Sequence, residues 1–313
     1  MRLKLFLISF LASLSFWLFV NLSYQQLESF YLTKKISQAS LSNNLLSRIK
    51  TKKINELKKL KLAKISAESA ISVYFSKNGK EIVIYKKNPN KKLHIASLTK
   101  LVSAIVAKEF YKKSEQIVIT KESVLQAGAQ GFFRVGDKFL LEDLLKSALI
   151  ESSNDAIFAI AQKIGEDNFV ALMNLKIKSI GAKDSYFVNP TGLQESKNGG
   201  NYSTVKDLVK IGKYLIKNHP ELIKILSLKK APIYLANGKF HHLAKNTNLL
   251  LNKYPQIIAG KTGWTSLAGG CLLEILKVKN GFLVAVLLNS KKRFDDMEKI
   301  LNYSLEYVKN SIN

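Results

Sequence analysis

Cysteine and proline are scarce in this sequence. The 313 residues include one cysteine and five prolines, so no intrachain disulfide can form and packing must stabilise the core. Cys271 lies in an apolar run that predicts a buried strand, where cysteine acts as a small apolar side chain. Disorder over the whole length is not expected, because 47% of the residues are hydrophobic.

The four histidines form no metal-binding pattern. Neither H-E-x-x-H nor a pair of C-x-x-C motifs occurs, so we expect no metal and no other cofactor. His219 precedes Pro220, and His241 and His242 fall in a predicted connection. All three histidines are therefore predicted to be solvent-exposed loop residues.

Acidic residues are also few. Lysine and arginine number 49 against 23 aspartate and glutamate residues, which gives a net charge of +26. A charge of this size requires an anionic neighbour, and nucleic acid, a phospholipid surface and an anionic wall polymer all fit. Composition alone does not choose among these three.

The N-terminal residues predict an export or membrane segment. Arg2 and Lys4 precede an uncharged apolar stretch from Leu5 to Leu22, close to the ~20 residues that span a bilayer. No A-x-A cleavage site follows, so an uncleaved anchor over residues 1–22 is favoured over a cleaved signal peptide. Residues 5–22 would then cross the cytoplasmic membrane and place the following residues outside, where nucleic acid is not an expected partner.

Two further regions follow this segment. Residues 23–68 are rich in lysine and predict a basic stalk, either a solvated spacer or an amphipathic helix on anionic lipid. Residues 69–313 predict a globular domain that opens with a hairpin of Ile71–Phe75 and Glu81–Tyr85. Helical patterns then cover Leu98–Tyr111, Leu141–Ile150, Asp155–Ile164, Asp167–Ile180 and Thr204–Lys217; strand patterns cover Cys271–Val278 and Phe282–Asn289, and a last helix covers Asp295–Ser311. Strands at both ends of a helical middle predict one sheet built from distant segments.

The first motif with chemical meaning is Ser97-Leu98-Thr99-Lys100, at the start of a predicted helix. Residues three apart share a helix face, so the Lys100 amine can approach the Ser97 hydroxyl. A serine becomes a nucleophile when a nearby base takes its proton, and a lysine of lowered pKa can do this. The S-x-x-K spacing alone is weak, because it arises by chance in most proteins.

Two more motifs have comparable chemistry. Ser152-Ser153-Asn154 offers a hydroxyl for proton relay and an amide for a substrate carbonyl, although a simple helix cap is the better interpretation of this motif alone. Lys261 and Thr262 can bind a carboxylate, and Gly263 lets a substrate backbone approach closely. A P-loop is rejected here, because that motif requires glycine where Pro255 stands.

Together, in this order, the three motifs resemble those of the penicillin-sensitive D-alanyl-D-alanine carboxypeptidases. The likeness extends from about Ser69 to the C-terminus. It includes Phe187-Val188-Asn189-Pro190-Thr191-Gly192-Leu193, Tyr202-Ser203-Thr204 with Asp207, and Asn246-Thr247-Asn248-Leu249-Leu250. It implies an α/β (α+β) fold of the β-lactamase and DD-peptidase type, with an antiparallel sheet flanked by helices, a mostly helical subdomain and an N-terminal membrane or signal helix.

The resemblance also implies roles for individual residues. Ser97 would be the nucleophile and Lys100 the general base, while Ser152 and Lys261 would pass a proton to the leaving D-alanine. Asn154 would hold the substrate peptide. Substrate binding is assigned to Thr262, Gly263, Trp264, Thr265 and Arg293, with the backbone N–H groups of Ser97 and Trp264 as the oxyanion hole and Arg293 near the terminal carboxylate.

Two positions depart from the family pattern. Ser153 stands where glycine is common, and His94 stands where proline is frequent before the nucleophile. Neither change removes a side chain of the implied mechanism. The implied partner is therefore still a peptidoglycan stem peptide ending in D-Ala-D-Ala, with β-lactams as covalent inhibitors.

Three alternative functions remain. A β-lactamase shares the motifs but needs rapid hydrolysis of the acyl-enzyme, for which Glu195 is only an isolated candidate. A DD-endopeptidase would cleave crosslinks with the same groups. A non-catalytic wall-binding protein would keep the fold as a peptide receptor, although every residue needed for acylation is present.

Overall fold

The computed structural model describes residues 24–35, 63–193 and 199–311, together with Asn21 and Gln38. Residues 24–35 are helical and exposed. The predicted anchor, apart from Asn21, and residues 39–62 of the predicted stalk lie outside the described residues. Among the described helices, none is both long enough and apolar enough to span a bilayer.

An antiparallel sheet of five strands forms the centre of the domain. The strands are β1 (Ser69–Ser76), β2 (Glu81–Lys87), β9 (Ile257–Thr265), β10 (Gly269–Val278) and β11 (Gly281–Ser290). Their order in the sheet is β2-β1-β11-β10-β9. The N-terminal hairpin therefore pairs with the C-terminal strands, as the sequence predicts, and Ser69 lies opposite Leu288.

Both faces of the sheet are covered, which explains the unbroken apolar runs of its central strands. Successive side chains of a strand point to opposite faces. Along β11, Val284 and Val286 therefore pack in the core on the helical side, whereas Leu283 and Ala285 face the C-terminal helix α8 (Arg293–Ser311). Cys271 is buried in the first of these cores, as predicted, and burial raises the pKa of its thiol to about 12.

The helical region lies on one face of the sheet, and the predicted helices are confirmed to within about two residues. Its longer helices are α1 (Thr99–Phe110), α3 (Leu141–Lys146), α4 (Asn154–Gln162), α5 (Glu166–Ile180) and α6 (Val205–Asn218); α2 (Lys121–Val124) is a single turn. The helix predicted over Leu141–Ile150 changes at its end, because Ser147–Glu151 forms a π-helical turn. Such turns are frequent at functional sites.

Several elements were not predicted. Three two-stranded sheets pair β3 (Leu93–His94) with β6 (Tyr202–Ser203), β4 (Gln116–Val118) with β5 (Lys138–Leu140), and β7 (Lys230–Tyr234) with β8 (Phe240–Lys245). Helix α7 (Pro220–Ser227) begins at a proline, which is well suited to the first helical position because its missing N–H has no partner there.

The prediction of exposed loop histidines is wrong. His219 is buried and lies between Glu109 and Glu221, 3.1 Å from each carboxylate. His241 and His242 belong to β8 and are half-buried, because their rings pack beside aromatic side chains of the 132–139 segment. Hydrogen bonding satisfies these polar rings at positions that the local sequence marks as loop.

Packing of the domain begins slightly before its predicted start. Ile65 and Ala67 are buried, and the Asp296 carboxylate accepts the backbone N–H of Ser66 at 3.0 Å and that of Ala67 at 2.9 Å. Helix α8 thus fixes the position of Ser66 and Ala67, which lie just before β1.

Candidate active site

Ser97 lies in a short 3-10 turn, Ala96–Leu98, directly before α1. Ala96 has a positive φ of 47°, a conformation that is uncommon for residues other than glycine. The turn places the Ser97 hydroxyl 2.9 Å from the Lys100 amine in the first turn of α1. The predicted approach of these two side chains is confirmed.

Lys100 is completely buried, although lysine is among the residues that rarely are. Its amine lies 2.6 Å from Asn154 Oδ1 and 2.8 Å from the Thr191 carbonyl oxygen. Burial holds the pKa of Lys100 well below its usual range, and the positive charge of Lys261 lowers it further, whereas Asp155 opposes the shift. Burial and the neighbouring charge therefore favour the neutral form of the Lys100 amine, whose lone pair can act as a base.

Ser152 and Lys261 form a second pair beside the first. Ser152 follows the π-helical turn in the left-handed conformation, with φ 69°, and its hydroxyl accepts a hydrogen bond of 2.9 Å from the buried Lys261 amine. Burial, followed by the charge of Arg293, lowers the pKa of Lys261 to about 7. Lys261 therefore exchanges protons readily near neutral pH.

The helix-cap interpretation of Ser152-Ser153-Asn154 is confirmed for Ser153, and the side chains on either side of it face the two buried lysines. Ser153 caps α4 and accepts a hydrogen bond of 3.0 Å from the Ala156 N–H. Asn154 faces Lys100, and its Nδ2 donates to the Ala127 carbonyl at 2.6 Å. The helix cap therefore turns its two neighbours toward the site.

The Lys261-Thr262-Gly263 motif lies inside β9, a strand that the predicted strand patterns did not include. Gly263 favours the close packing there, because a Cβ at this position would lie 3.0 Å from the Ser97 nitrogen and from the Ile95 carbonyl oxygen. Ordinary contacts need about 3.5 Å. Glycine thus lets β9 run directly against the turn that bears Ser97.

The remaining predicted residues line the same strand. The Trp264 side chain is 66% exposed, and the Thr265 hydroxyl accepts the Ala268 N–H at 3.0 Å, which closes the turn into β10. Arg293 donates from a terminal guanidinium nitrogen to the Gly263 carbonyl at 3.2 Å. Arg293 therefore lies against β9, near enough to Lys261 for its charge to lower the pKa of that lysine.

Three residues of the site had no predicted role. Thr191 supplies a carbonyl to Lys100, Gly192 packs against Ala96, and the Thr247 hydroxyl lies 2.6 Å from that of Thr262. The available signal was their membership of the family-like segments around Asn189 and Asn246. Those segments show no chemistry by themselves, because their contacts join positions about 15–95 residues apart.

Comparisons with known proteins agree with this geometry. The family described as peptidase S11, D-alanyl-D-alanine carboxypeptidase, matches residues 54–292. The chain is 32% identical over 232 residues to the D-alanyl-D-alanine carboxypeptidase DacF of Bacillus subtilis, covering 71% of this chain and 58% of that protein. It is 31% identical over 196 residues to a D-alanyl-D-alanine endopeptidase of Pseudomonas aeruginosa, covering 61% of this chain and 62% of that protein.

A solved structure is also similar to this chain. The fold is similar to the crystal structure of the Streptomyces K15 DD-transpeptidase, with a TM-score of 0.70, 26% identity, and coverage of 78% of this chain and 98% of that one. Relative to the two curated proteins above, the chain spans about three fifths of their length.

Proposed function

Because the chain belongs to the D-alanyl-D-alanine carboxypeptidase family of serine peptidases, we propose that it trims peptidoglycan stem pentapeptides through an acyl-enzyme at Ser97. The observation that carries this proposal is the arrangement of Ser97 with Lys100 at 2.9 Å and of Ser152 with Lys261 at 2.9 Å in one site. Four side chains from three distant segments thus provide a nucleophile, a base and a proton relay.

The first step is attack by Ser97 on the carbonyl between the two terminal D-alanines. Neutral Lys100 has two N–H groups, and Asn154 Oδ1 and the Thr191 carbonyl are placed to accept them. Its lone pair is then directed at the Ser97 hydroxyl, from which it takes the proton as the bond to the substrate carbon forms. Burial of the amine keeps it in the form that can do this.

The charge that develops on the carbonyl oxygen needs N–H donors. The backbone N–H groups of Ser97 and Trp264 are the proposed oxyanion hole, and the close approach of Gly263 to the Ser97 nitrogen supports this pairing. The start of α1 adds positive potential at the same place. Asn154 holds the substrate peptide through its side-chain amide.

Departure of the last D-alanine requires a proton on its nitrogen. Ser152 and Lys261 are the proposed relay, and a pKa near 7 for Lys261 suits it to this exchange. Thr262, Lys261 and Arg293 would bind the terminal carboxylate, because Arg293 of α8 lies against the stretch of β9 that bears the Lys261 amine and the Thr262 hydroxyl. Water then attacks the acyl-enzyme and releases the shortened stem peptide.

We place the reaction on the outer face of the cytoplasmic membrane, with residues 5–22 as the anchor and residues 23–68 as a basic stalk. The uncharged stretch after Arg2 and Lys4 supports this location. The net charge of +26 would then attract the chain to anionic lipid and wall polymers. Binding to isolated walls should weaken as salt is raised, because screening acts on exposed charges.

Incubation of the full-length protein in detergent with a stem pentapeptide tests the proposed activity. The expected product is free D-alanine, and a labelled penicillin should tag the wild type but not Ser97→Ala. Ser179→Ala, an exposed serine outside the site, is the matched control and should behave as the wild type. Equal labelling of Ser97→Ala and wild type would reject Ser97 as the nucleophile.

The same assay separates the related activities. One relative is named an endopeptidase, so a crosslinked stem dimer should be supplied beside the pentapeptide. Faster cleavage of the dimer would replace the carboxypeptidase proposal with an endopeptidase. Rapid turnover of a chromogenic cephalosporin without a stable adduct would instead indicate a β-lactamase.

A further inference from the structure

The hairpin of β7 and β8 has one face in the core and one face in solvent. Ala231, Ile233 and Ala244 are buried in the core on the helical side of the main sheet. Because successive side chains of a strand point to opposite faces, their neighbours point outward, and a register shift next to Tyr234 places Phe240 opposite it. The outer face of the hairpin consists of six exposed residues: Lys230, Pro232, Tyr234, Phe240, Leu243 and Lys245.

Most of this outer face is apolar. The solvent face of an antiparallel sheet usually has polar side chains, but here Pro232 lies opposite Leu243 and Tyr234 opposite Phe240. Tyr234, Phe240 and Leu243 are 39%, 56% and 41% exposed, and the two rings lie 6.0 Å apart. Apolar side chains grouped on a surface, unlike single ones, mark a site of interaction with a protein or a membrane.

The charges of the outer face are all positive. Lys230 lies directly opposite Lys245, and like charges in such a pair destabilise a sheet. Within the part of the chain that the structure describes, neither lysine takes part in an ion pair. Residues 229–245 include four lysines and no aspartate or glutamate. An anionic partner would convert this repulsion into attraction.

The partner must therefore offer negative charge and an apolar phase together. An anionic phospholipid surface offers both, whereas a wall polymer of phosphates and sugars offers mainly the charge. Tyrosine rings are favoured where an apolar phase meets water, and lysines reach the headgroups while their stems cover apolar surface. Exposed Lys239, in the turn before Phe240, adds a third cation at the other end of the hairpin.

From these observations we propose that the outer face of the β7–β8 hairpin lies on the anionic surface of the membrane. Phe240 and Leu243 enter the headgroup region, and Lys230 and Lys245 pair with lipid phosphates. The inference goes beyond the proposed activity and rests only on the proposed location at the membrane. Two residues after β8, the Thr247 hydroxyl lies 2.6 Å from that of Thr262, so this contact would also set the direction in which the active site faces.

The test places a fluorescent dye on the hairpin of the full-length protein. Leu243→Cys is labelled with a thiol-reactive, environment-sensitive dye, and Val83→Cys, a 53% exposed strand position on β2, is the matched control. The native Cys271 is buried and its thiol pKa is raised to about 12, so it should not react. Each protein is incorporated into vesicles whose acyl chains carry bromine as a quencher.

Two lipid compositions separate charge from general proximity to the bilayer. In equal parts of phosphatidylglycerol and phosphatidylcholine, the dye at position 243 should shift to the blue and be quenched, and raised salt should reduce both effects. In phosphatidylcholine alone both effects should be much smaller. The dye at position 83 should remain unquenched in both compositions.

Lys230→Gln and Lys245→Gln test the lysines in the labelled Leu243→Cys protein. Each should lower the ratio of lipid-contacting to free dye about fivefold, the usual contribution of one lysine at an anionic surface. Their free energy of unfolding in detergent should not fall, because each substitution removes a repulsion. Loss of lipid contact would then not result from loss of folding.

Several outcomes would overturn the inference. Equal quenching at positions 243 and 83, or none at 243 in anionic vesicles, would exclude contact of the hairpin with lipid. A dye at 243 that responds to soluble poly(glycerol phosphate) but not to anionic vesicles would assign the surface to a wall polymer instead. Failure of the wild type to float with anionic vesicles would overturn both the hairpin contact and the proposed location, while D-alanine release would still support the proposed activity.

Discussion

Replacing Gly192 by alanine should displace the nucleophile Ser97. Gly192 has a φ of 85°, and a Cβ there would lie 2.0 Å from the Ala96 carbonyl oxygen and 2.9 Å from Thr99 Oγ1. Since an ordinary contact needs about 3.5 Å, one of the two backbone segments must move by about 1 Å or more. Ala96 directly precedes Ser97 and already has a positive φ, so the displacement falls on the nucleophile.

The magnitude has two parts. The left-handed conformation costs an alanine about 1–2 kcal/mol in the free energy of unfolding, and the clash adds a cost of similar order, on the order of 1–3 kcal/mol. A misplacement of about 1 Å at a reacting group can slow a reaction about 100-fold. We therefore expect Gly192→Ala to be less stable by about 2–5 kcal/mol and to react with labelled penicillin about 100-fold more slowly per folded molecule.

Gly79→Ala is the matched control. Gly79 has nearly the same φ, 86°, but a Cβ there would have no other atom within 4 Å. This variant has only the conformational cost, and its acylation rate should equal that of the wild type. Denaturant unfolding and the time course of penicillin labelling measure the two effects. If Gly192→Ala is no less stable than Gly79→Ala and is labelled as fast as the wild type, the close approach of Gly192 to the Ala96 carbonyl is refuted.

Three further predictions concern ionisable side chains. Because burial lowers the pKa of Lys100, penicillin acylation should rise with pH and level off well below pH 10.5; a rate still rising tenfold per pH unit near pH 10 would contradict Lys100 as the base. Burial raises the pKa of Glu274 well above 4.5, so the folded state keeps a proton that the unfolded state loses above that pH. The free energy of unfolding should therefore fall above pH 4.5 by on the order of 1 kcal/mol per pH unit. Glu274→Gln should abolish this slope. Glu151 directly precedes Ser152, and its Oε1 lies 2.8 Å from His242 Nε2. This contact helps to position Ser152, so Glu151→Ala should lower kcat about tenfold with little change in KM. Glu151→Gln keeps an acceptor oxygen and should restore most of that rate; similar losses in both variants would contradict a positioning role.

The sequence predicted the fold best where one periodicity extends over a whole element. The hairpin of β1 and β2, the helices α1, α3, α4, α5, α6 and α8, and the strands β10 and β11 all have apolar patterns that extend over most of the element. Prediction failed for β7, β8 and α7, which are short and partly polar. Their conformation depends on contacts such as those of His219 with Glu109, a residue 110 positions away.

The candidate site could likewise be predicted only in part from the sequence. Side chains one helical turn apart must lie close together, so the approach of Lys100 to Ser97 follows from spacing alone. The sharp turn at Ser152 and the approach of Gly263 to Ser97 required the packed structure, because each depends on segments separated by many residues. Thr191 and Gly192 entered the site for the same reason.

The amino-acid sequence by itself determined which chemical groups this protein can bring to a reaction, since hydroxyls, amines and an amide occur at spacings that helices and strands convert into shared faces. Only the tertiary structure decided what those groups are as acids and bases. Lys100 and Lys261 are ordinary lysines in the sequence, and their pKa values fall because distant segments remove both amines from water and place a positive charge near each, Lys261 near Lys100 and Arg293 near Lys261. Desolvation and charge proximity are properties of the folded core, which no local pattern contains.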